Sequence, residues 1–203
     1  FKPGYVDDLR KKVSVKVTEL LDIIAPMGQC NLVQQVSQQL PIYTLSEILG
    51  IPEEDRQKLV SWMEFLELAQ YFTYEIIKEQ NEGKTESTPD PAIIDMFNSM
   101  VDEMFDYGRF ILKDKRENPS DDLLTAIANA EIDGEKLSDE FLDGSWLLII
   151  FAGNDTTRNT MSGGIKLLHE NQTQKDLLMQ NQDLIPNFIN CLLYTSDAAD
   201  ECS

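Results

Sequence analysis

The stretch from Phe141 to Glu170 constrains the fold most, because it can form one uninterrupted helix that crosses a whole domain. The segment Ser138-Asp139-Glu140 opens this helix. At about 1.5 Å per residue, a helix of this length spans about 45 Å. The sequence shows no alternating strand pattern of any length and no internal repeat. We therefore predict an essentially all-α protein built around one long helix.

Helical patterns also fill most of the first half of the chain. Apolar residues at helical spacing predict a helix from Val6 to Ile24, which ends at the turn Ala25-Pro26-Met27-Gly28. A second helical stretch, Leu32–Leu49, is predicted to be interrupted at Pro41. A third helix is predicted to start at the acidic residues Glu53-Glu54-Asp55 and to run to about Tyr74.

Between that third helix and the long helix, the pattern alternates between polar and helical segments. The polar stretch Lys78–Pro91 predicts a loop, and a helix resumes at Ala92. Met96, Met100 and Met104 follow one face of the resumed helix, and we assign them to core packing. Asn118-Pro119-Ser120 is predicted to cap a short helix around Leu123–Ala130, with a turn at Asp133-Gly134 after it.

The charge and the apolar runs limit the possible partners. The chain of 203 residues carries a formal net charge of -19, which repels nucleic-acid phosphates and anionic lipid surfaces, so neither is expected as a partner. The longest apolar run, Trp146–Ala152, is far shorter than the roughly 20 residues needed to cross a bilayer. No basic-then-apolar signal segment opens the sequence. We therefore expect a soluble, cytoplasmic protein without a membrane segment.

Cysteine and histidine are too few and too scattered for a metal framework. The three cysteines, Cys30, Cys191 and Cys202, show no Cys-x-x-Cys spacing, and His169 is the one histidine. A structural zinc site needs four such ligands in close spacing, and disulfide scaffolds are much richer in cysteine. We predict no metal ligand in this chain.

The segment Ala152-Gly153-Asn154-Asp155-Thr156-Thr157 places poor helix formers in the middle of the long helix, directly after the apolar run. If the helix stays regular, five such residues in succession cost about 3 kcal/mol relative to alanine. We therefore expect these residues to serve a structural or a chemical purpose at this position. One explanation is structural: the segment marks a kink, or a buried polar patch that faces another helix.

The other explanation is chemical. Small residues at Ala152 and Gly153 leave room for a flat cofactor or a diatomic ligand to approach the backbone closely. Asp155 and Thr156 place a carboxylate and a hydroxyl beside that gap. Threonine hydroxyls also bond back to the preceding turn, which can bend the helix or open it to admit a water. This pattern predicts a groove combined with a proton relay.

The segment and its flanks resemble the long distal helix of the cytochrome P450 superfamily, whose pattern is small-Gly-x-acid-Thr-Thr/Ser. The matching positions are Ala152, Gly153, Asp155, Thr156 and Thr157. Upstream segments resemble bacterial members as well: Leu40-Pro41-Ile42, Leu49–Arg56, Asn118–Leu124 and Asp133–Glu140. The resemblance covers roughly residues 1–190. It implies a mainly α fold, namely the central helical portion of the cytochrome P450 fold including its long distal (I) helix.

The resemblance also implies a haem-thiolate monooxygenase with haem b as cofactor, in which the thiolate ligand favours O–O cleavage. Thr156 would hydrogen-bond the oxygen ligand and its water, and Asp155 would feed protons inward from solvent. Ala152, Gly153 and Thr157 would line the cofactor face. Arg158 and Asn159 are expected to bond neighbouring helices or loops. Leu148 and Ile149 are expected in the core, or against an apolar substrate.

The substrate class follows only from the continuation of the motif. The stretch Gly153–Gly164 most resembles bacterial hydroxylases of alkanes and fatty acids, which take O2 and electrons from a ferredoxin and its reductase. Bacterial steroid side-chain hydroxylases share the Thr-Thr-Arg-Asn continuation, so a sterol-hydroxylating cytochrome P450 is the first alternative. The second alternative is a non-catalytic helical binding module that uses the acidic surface or the methionine-rich face.

Two elements of the family are missing from the sequence: the Glu-x-x-Arg pair and the Phe-x-x-Gly-x-x-x-Cys-x-Gly loop that holds the iron. Cys30, Cys191 and Cys202 lack the residues of that loop, so none is expected to be the iron ligand. Residues 1–190 are interpreted as a partial cytochrome P450 domain, truncated at both ends and inactive alone. Residues 191–203 resemble translated sequencing adapter and are interpreted as a non-native tail.

Overall fold

The structure, a computed structural model, describes residues 3–81 and 91–201, and its regular elements there are helices apart from one short hairpin. The mainly α prediction is confirmed. The helices are α1 Pro3–Ile24, α2 Gln39–Leu49, α3 Arg56–Asn81, α4 Pro91–Glu117, α5 Leu123–Ala128, α6 Asp139–Glu170, α7 Gln172–Gln180 and α8 Ile185–Glu201. The hairpin consists of β1 Glu131–Ile132 and β2 Glu135–Lys136. In the described part of the chain, no helix is both long and apolar enough to span a membrane.

The chain divides into two compact units. Unit 1 comprises Phe1–Pro41 and Gly153–Ser203, and unit 2 comprises Ile42–Ala152. Unit 2 therefore holds most of α2, all of α3, α4 and α5, the hairpin and the first part of α6. Unit 1 holds α1, α7, α8 and the rest of α6.

The core of unit 2 is centred on three aromatic side chains from α3, α4 and α6. The ring centroids of Trp62 and Tyr107 lie 5.4 Å apart, and those of Tyr107 and Trp146 lie 5.9 Å apart. The buried indole of Trp146 donates from Nε1 to the Met104 carbonyl oxygen at 3.0 Å. Gly108 lies against the same indole, where a Cβ would stand 2.5 Å from Trp146 Cδ1. The absent side chain at Gly108 thus lets α4 and the indole approach closely.

A buried ion pair fixes the start of α5. Lys115 Nζ donates to Asp122 Oδ2 at 2.6 Å and to Ser120 Oγ at 2.9 Å, and Asp122 Oδ1 accepts from the Thr125 backbone N–H at 2.7 Å. Burial opposes ionisation of Asp122, but the hydrogen bonds from Lys115, Ser120 and Thr125 outweigh it and hold the pKa of Asp122 below its usual value. Gly50, with φ +67°, lies so close that a Cβ there would be 2.3 Å from Asp122 Oδ2.

The turn predicted at Asp133-Gly134 is confirmed. Asp133 has φ 55° and Gly134 has φ 83°, which is the left-handed pair of a tight hairpin turn. The flanking residues pair antiparallel, Ile132 with Glu135 and Glu131 with Lys136. The hairpin is only two residues deep on each side, which is why no alternating pattern in the sequence indicated a strand.

Unit 1 buries fewer apolar side chains than unit 2. Leu20 on α1 and Val36 in a π-helical turn over Val33–Ser37 are both buried. Gly164 on α6 faces α8, where a Cβ at Gly164 would stand 2.7 Å from Leu192 Cδ1. Glycine at this position therefore allows the two helices of unit 1 to meet closely.

Three predicted boundaries were wrong. Pro41 lies in the first turn of α2, where a proline needs no backbone donor, and the break in Leu32–Leu49 falls at Gln38 instead. Helix α3 continues beyond Tyr74 to Asn81, so the start of the predicted loop Lys78–Pro91 is helical, while residues 82–90 lie outside the described part. The cap of α5 is Asp122 rather than Asn118-Pro119-Ser120, and α5 ends at Ala128.

Candidate functional site

The long helix α6 carries the motif without a break. It begins at Asp139, where Ser138 Oγ accepts from the Phe141 backbone N–H at 3.3 Å, and it ends at Glu170. The backbone stays α-helical through all six motif residues. The opening of the helix that the threonines suggested is not present in the described backbone.

Two threonine hydroxyls in and just after the motif bond back to carbonyl oxygens of their own helix. Thr157 Oγ1 donates to the Gly153 carbonyl oxygen at 3.4 Å, and Thr160 Oγ1 donates to the Thr156 carbonyl oxygen at 2.8 Å. Bonds of this kind give the hydroxyl a partner within its own helix, but they slightly weaken the backbone hydrogen bonds of that helix. The poor helix formers are thus accommodated locally.

The two sides of the motif differ in exposure. Leu148, Ala152 and Thr156 follow each other at intervals of four residues, which is the spacing of one helix face, and all three are exposed, Leu148 to 67%. Thr157 is also exposed and Gly153 is half-buried. Asn154 is only 2% exposed. Ala152 and Thr156 therefore lie on the open side of α6, and Asn154 lies on its buried side.

The buried and exposed sides of α6 can be compared with the two explanations of the motif, the buried polar patch and the groove with a proton relay. Asn154 Oδ1 and Ser162 Oγ are buried with no hydrogen-bond partner among the described residues, and eight positions separate them on α6. This matches the polar patch that the structural explanation required. Ala152 and Thr156 are exposed where the chemical explanation expects a groove, and that groove stays a prediction. Ala152 leaves the backbone accessible on that face and Leu148 adds an apolar side chain to it, which are the properties that a flat, largely apolar group requires.

The Asp155 carboxylate is held from within α6. Arg158 Nη2 donates to Asp155 Oδ1 at 2.6 Å, and Asn159 Nδ2 donates to Asp155 Oδ2 at 3.2 Å. Arg158 and Asn159 were expected to bond neighbouring helices or loops, and the structure shows that both donate to this carboxylate on their own helix. Their spacing of three and four residues after Asp155 is the standard spacing of paired side chains on a helix and could have indicated the contact.

The described residues offer no ligand set for a metal ion. No group of three or more His, Cys, Asp and Glu side chains lies close enough to hold one in residues 3–81 and 91–201. Cys30 and Cys191 are exposed free thiols, and Cys202 lies outside the described part.

Two surface cavities in unit 2 are not lined by any motif residue. The first lies beside α4 and is lined by acidic side chains with Lys58 and Tyr107, among them Asp95, Asp102 and Asp106. The second lies between α4 and α6 beside the Arg109–Asp143 ion pair, in which Arg109 Nη2 approaches Asp143 Oδ2 to 2.6 Å. Neither cavity therefore adds a residue to the candidate site.

The curated relatives of this chain are cytochrome P450 monooxygenases. The chain is 28% identical over 198 residues to a steroid C26-monooxygenase of Mycobacterium tuberculosis (strain CDC 1551 / Oshkosh), covering 97% of this chain and 49% of that protein. It is 32% identical over 194 residues to cytochrome P450 CYP107DY1 of Priestia megaterium, covering 95% and 43% respectively. The chain thus spans about half the length of the curated relatives it matches. No protein-family model matches it.

Solved structures give the same family. Cytochrome P450 PksS of Bacillus subtilis 168 superposes with a TM-score of 0.75 at 25% identity, covering 95% of this chain and 45% of that one. CYP109E1 from Bacillus megaterium, in complex with testosterone, superposes with a TM-score of 0.73 at 25% identity, covering 93% and 46%. The fold is therefore that of about half a cytochrome P450.

Proposed function

We propose that this chain, a homologue of the cytochrome P450s along nearly its whole length, is the part of a haem-thiolate monooxygenase that carries its oxygen-activating helix, α6. The chain spans about half the length of its relatives, so the activity belongs to the whole protein. One observation carries the proposal: Ala152 and Thr156 stand one turn apart on an open helix face, beside the carboxylate of Asp155.

The proposed cofactor is haem b, and none of the three cysteines of this chain is proposed as its ligand. When bound, a haem iron with a cysteine thiolate ligand supplies the chemistry of oxygen activation. Ala152 and Gly153 leave the backbone open to the flat cofactor, and Thr157 borders the same face. This role is supported by the absence of bulk at these two positions.

The proton relay is assigned to Asp155 and Thr156. Asp155 is half exposed, so its carboxylate is in reach of solvent protons, while Thr156 Oγ1 holds the proton on the cofactor side. General acid catalysis by positioned side chains of this kind contributes about a hundredfold or more to a rate. Loss of the Thr156 hydroxyl therefore leaves reduction intact but sends electrons to peroxide or water rather than to product.

The substrate is proposed to be an apolar small molecule. The motif continuation Thr157-Arg158-Asn159 supports an alkane or fatty acid, as in the terminal hydroxylases it resembles. The steroid C26-monooxygenase relatives and the testosterone complex of CYP109E1 support a steroid as a second candidate. A ferredoxin with its reductase is proposed as the electron donor, and the cytoplasm as the location.

Residues 1–190 are proposed as the cytochrome P450 part of the chain and residues 191–203 as a non-native tail. Residues 191–201 continue α8, and Leu192 lies against Gly164. Any amphipathic continuation of α8 would make such a contact. The reading frame in the source genome tests this assignment, because a native frame would continue from Asn190 into a Glu-x-x-Arg helix.

The decisive experiment uses the enzyme encoded by the complete reading frame. Its reduced, carbon-monoxide-bound form should give the spectrum of a thiolate-ligated haem, and titration with a fatty acid or a steroid should shift the spin state for one class only. A protein that binds no haem would contradict the proposal, and the non-catalytic helical binding module would then be the remaining candidate function.

The assignment of Thr156 is tested in the same enzyme. Thr156→Ala should lower the product formed per NAD(P)H consumed about tenfold or more, with haem content unchanged. Thr73→Ala is the matched control, because Thr73 is an exposed threonine on α3, outside the motif, whose hydroxyl bonds locally, at 2.8 Å to the Ala69 carbonyl oxygen. Equal coupling in both variants would remove Thr156 from the relay.

A further inference from the structure

The Asp155 carboxylate is bonded by two side chains that lie outside the motif, Arg158 and Asn159. Both carboxylate oxygens are occupied: Oδ1 accepts from Arg158 Nη2 at 2.6 Å and Oδ2 accepts from Asn159 Nδ2 at 3.2 Å. Both donors come from the next turn of α6. A side chain on a helix normally leans toward the N-terminal end, so these two bonds turn the carboxylate the other way, toward the C-terminal turn.

The ion pair between Arg158 and Asp155 is strengthened by the burial of the Arg158 side chain. The Arg158 side chain is only 13% exposed, whereas Asp155 is 49% exposed. A guanidinium stays charged at every physiological pH, and a shielded charge is screened less by solvent and salt. Another intrahelical pair on α6, Lys166 with Glu170, spans 3.8 Å with exposures of 74% and 51%, so solvent screens it much more strongly.

We propose that Arg158 is a positioning residue, which together with Asn159 holds the Asp155 carboxylate where it passes protons to Thr156. This inference rests on the proposed function. Donors on both oxygens keep the carboxylate in one orientation, so it reaches the same acceptor in every cycle. To take a proton from water, Asp155 releases one of the two donors, and the weaker bond, to Asn159 Nδ2, is the one that opens.

The test compares Arg158→Gln, Arg158→Lys and the control Lys166→Gln in the complete haem-loaded enzyme. Arg158→Gln should lower kcat about tenfold and change the pH profile of kcat, with KM unchanged. Without Arg158, the Asp155 carboxylate no longer keeps the orientation in which it passes protons to Thr156. Arg158→Lys should restore part of kcat, since the ammonium supplies the charge but not the planar fork. Lys166→Gln should match the wild type.

A second readout does not depend on turnover. Thermal midpoints of Asp155→Asn, Arg158→Gln and the double variant form a cycle, and a formed pair makes the two shifts non-additive. Additive shifts, or an Arg158→Gln enzyme with the kcat and pH profile of Lys166→Gln, would overturn the role of Arg158. If Arg158→Gln does not fold, Arg158→Lys is judged by the same criteria.

Failure of the proposed function gives a different pattern. In that case the complete enzyme lacks the thiolate-haem spectrum, or Asp155→Asn and Thr156→Ala both leave coupling unchanged. If Asp155→Asn lowers coupling while Arg158→Gln does not, the proposed function stands and the positioning role of Arg158 is rejected.

Discussion

Gly108 and Trp146 meet without space for a side chain between them: a Cβ on Gly108 would lie 2.5 Å from Trp146 Cδ1 and 2.7 Å from Nε1. The indole is also held by its bond to the Met104 carbonyl oxygen and by contacts with the rings of Trp62 and Tyr107. This contact sets the distance between α4 and the unit 2 part of α6, the helix that continues into the motif.

Gly108→Ala should destabilise the chain by about 1 to 3 kcal/mol, because the added methyl group must displace a fully packed indole. Urea unfolding followed by tryptophan fluorescence measures the change. Gly144→Ala on α6 is the matched control: a Cβ there would meet no atom within 4 Å, so the higher helix propensity of alanine should raise stability by about 0.5 to 1 kcal/mol. Equal effects in the two variants would disprove the close packing.

Trp146→Phe should cost about 1 to 3 kcal/mol, because it removes the indole N–H bond to the Met104 carbonyl oxygen and leaves part of the volume of a buried side chain empty. Chemical unfolding followed by circular dichroism gives the free energy of unfolding. Phe110→Leu serves as the control, since Phe110 on α4 is 68% exposed and its change should stay within about 0.5 kcal/mol.

Lys115→Met should destabilise the chain by about 3 kcal/mol or more, because Asp122 then stays buried without its cation. The neighbouring exposed residue gives the control, Lys113→Met, which should change stability by less than about 0.5 kcal/mol. Urea unfolding of both variants measures the two changes. A small effect at both positions would contradict the structural importance of the ion pair.

The Asp122 carboxyl should make the stability of the chain fall in acid. Its pKa in the folded chain lies below the usual 3.8, despite burial, because of the bonds from Lys115, Ser120 and Thr125. A lowered folded-state pKa adds stability that is fully present above the unfolded-state value and is lost as the pH falls through the folded-state value. Urea midpoints below pH 3.8 should therefore decline less steeply in Asp122→Asn than in wild type.

Ala152→Leu should block the open face of α6 in the complete enzyme and lower its haem content, because a branched side chain would occupy the space proposed for the flat cofactor. The absorbance ratio of the haem band to the protein band measures the loading. Ala92→Leu, at an exposed position of α4, should leave it unchanged. Full loading of Ala152→Leu would place the cofactor elsewhere.

Much of the helical framework could be predicted from spacing and capping residues. The extent of α6, the first helix and the Asp133-Gly134 turn all follow from local patterns. Helix α3 was predicted too short, since the polar residues from Lys78 onward show no apolar period although they continue the helix to Asn81. The cap at Asp122 was missed because its choice over Ser120 depends on Lys115, which reaches it from α4.

For the site, the sequence predicted the residue types but not their contacts. The exposed spacing of Ala152 and Thr156 follows from helix geometry, and so does the burial of Asn154 on another side. The pairing of Asp155 with Arg158 and Asn159 depends on which rotamers the side chains adopt. The spacing of three and four residues is compatible with this intrahelical pairing, but it is equally compatible with a bond from Arg158 or Asn159 to another helix.

The contact of Gly50 with Asp122 and Lys115 limits how this sequence can evolve. A Cβ at Gly50 would stand 2.3 Å from Asp122 Oδ2 and 2.9 Å from Lys115 Nζ. A larger residue at Gly50 would meet the ion pair and would also have to adopt a φ of +67°, so it requires a change at one of the other two positions and a shift of the local backbone. Loss of either charge alone leaves its partner buried without an opposite charge. The three positions should covary among homologues, with the glycine lost only in lineages that have already abandoned the ion pair.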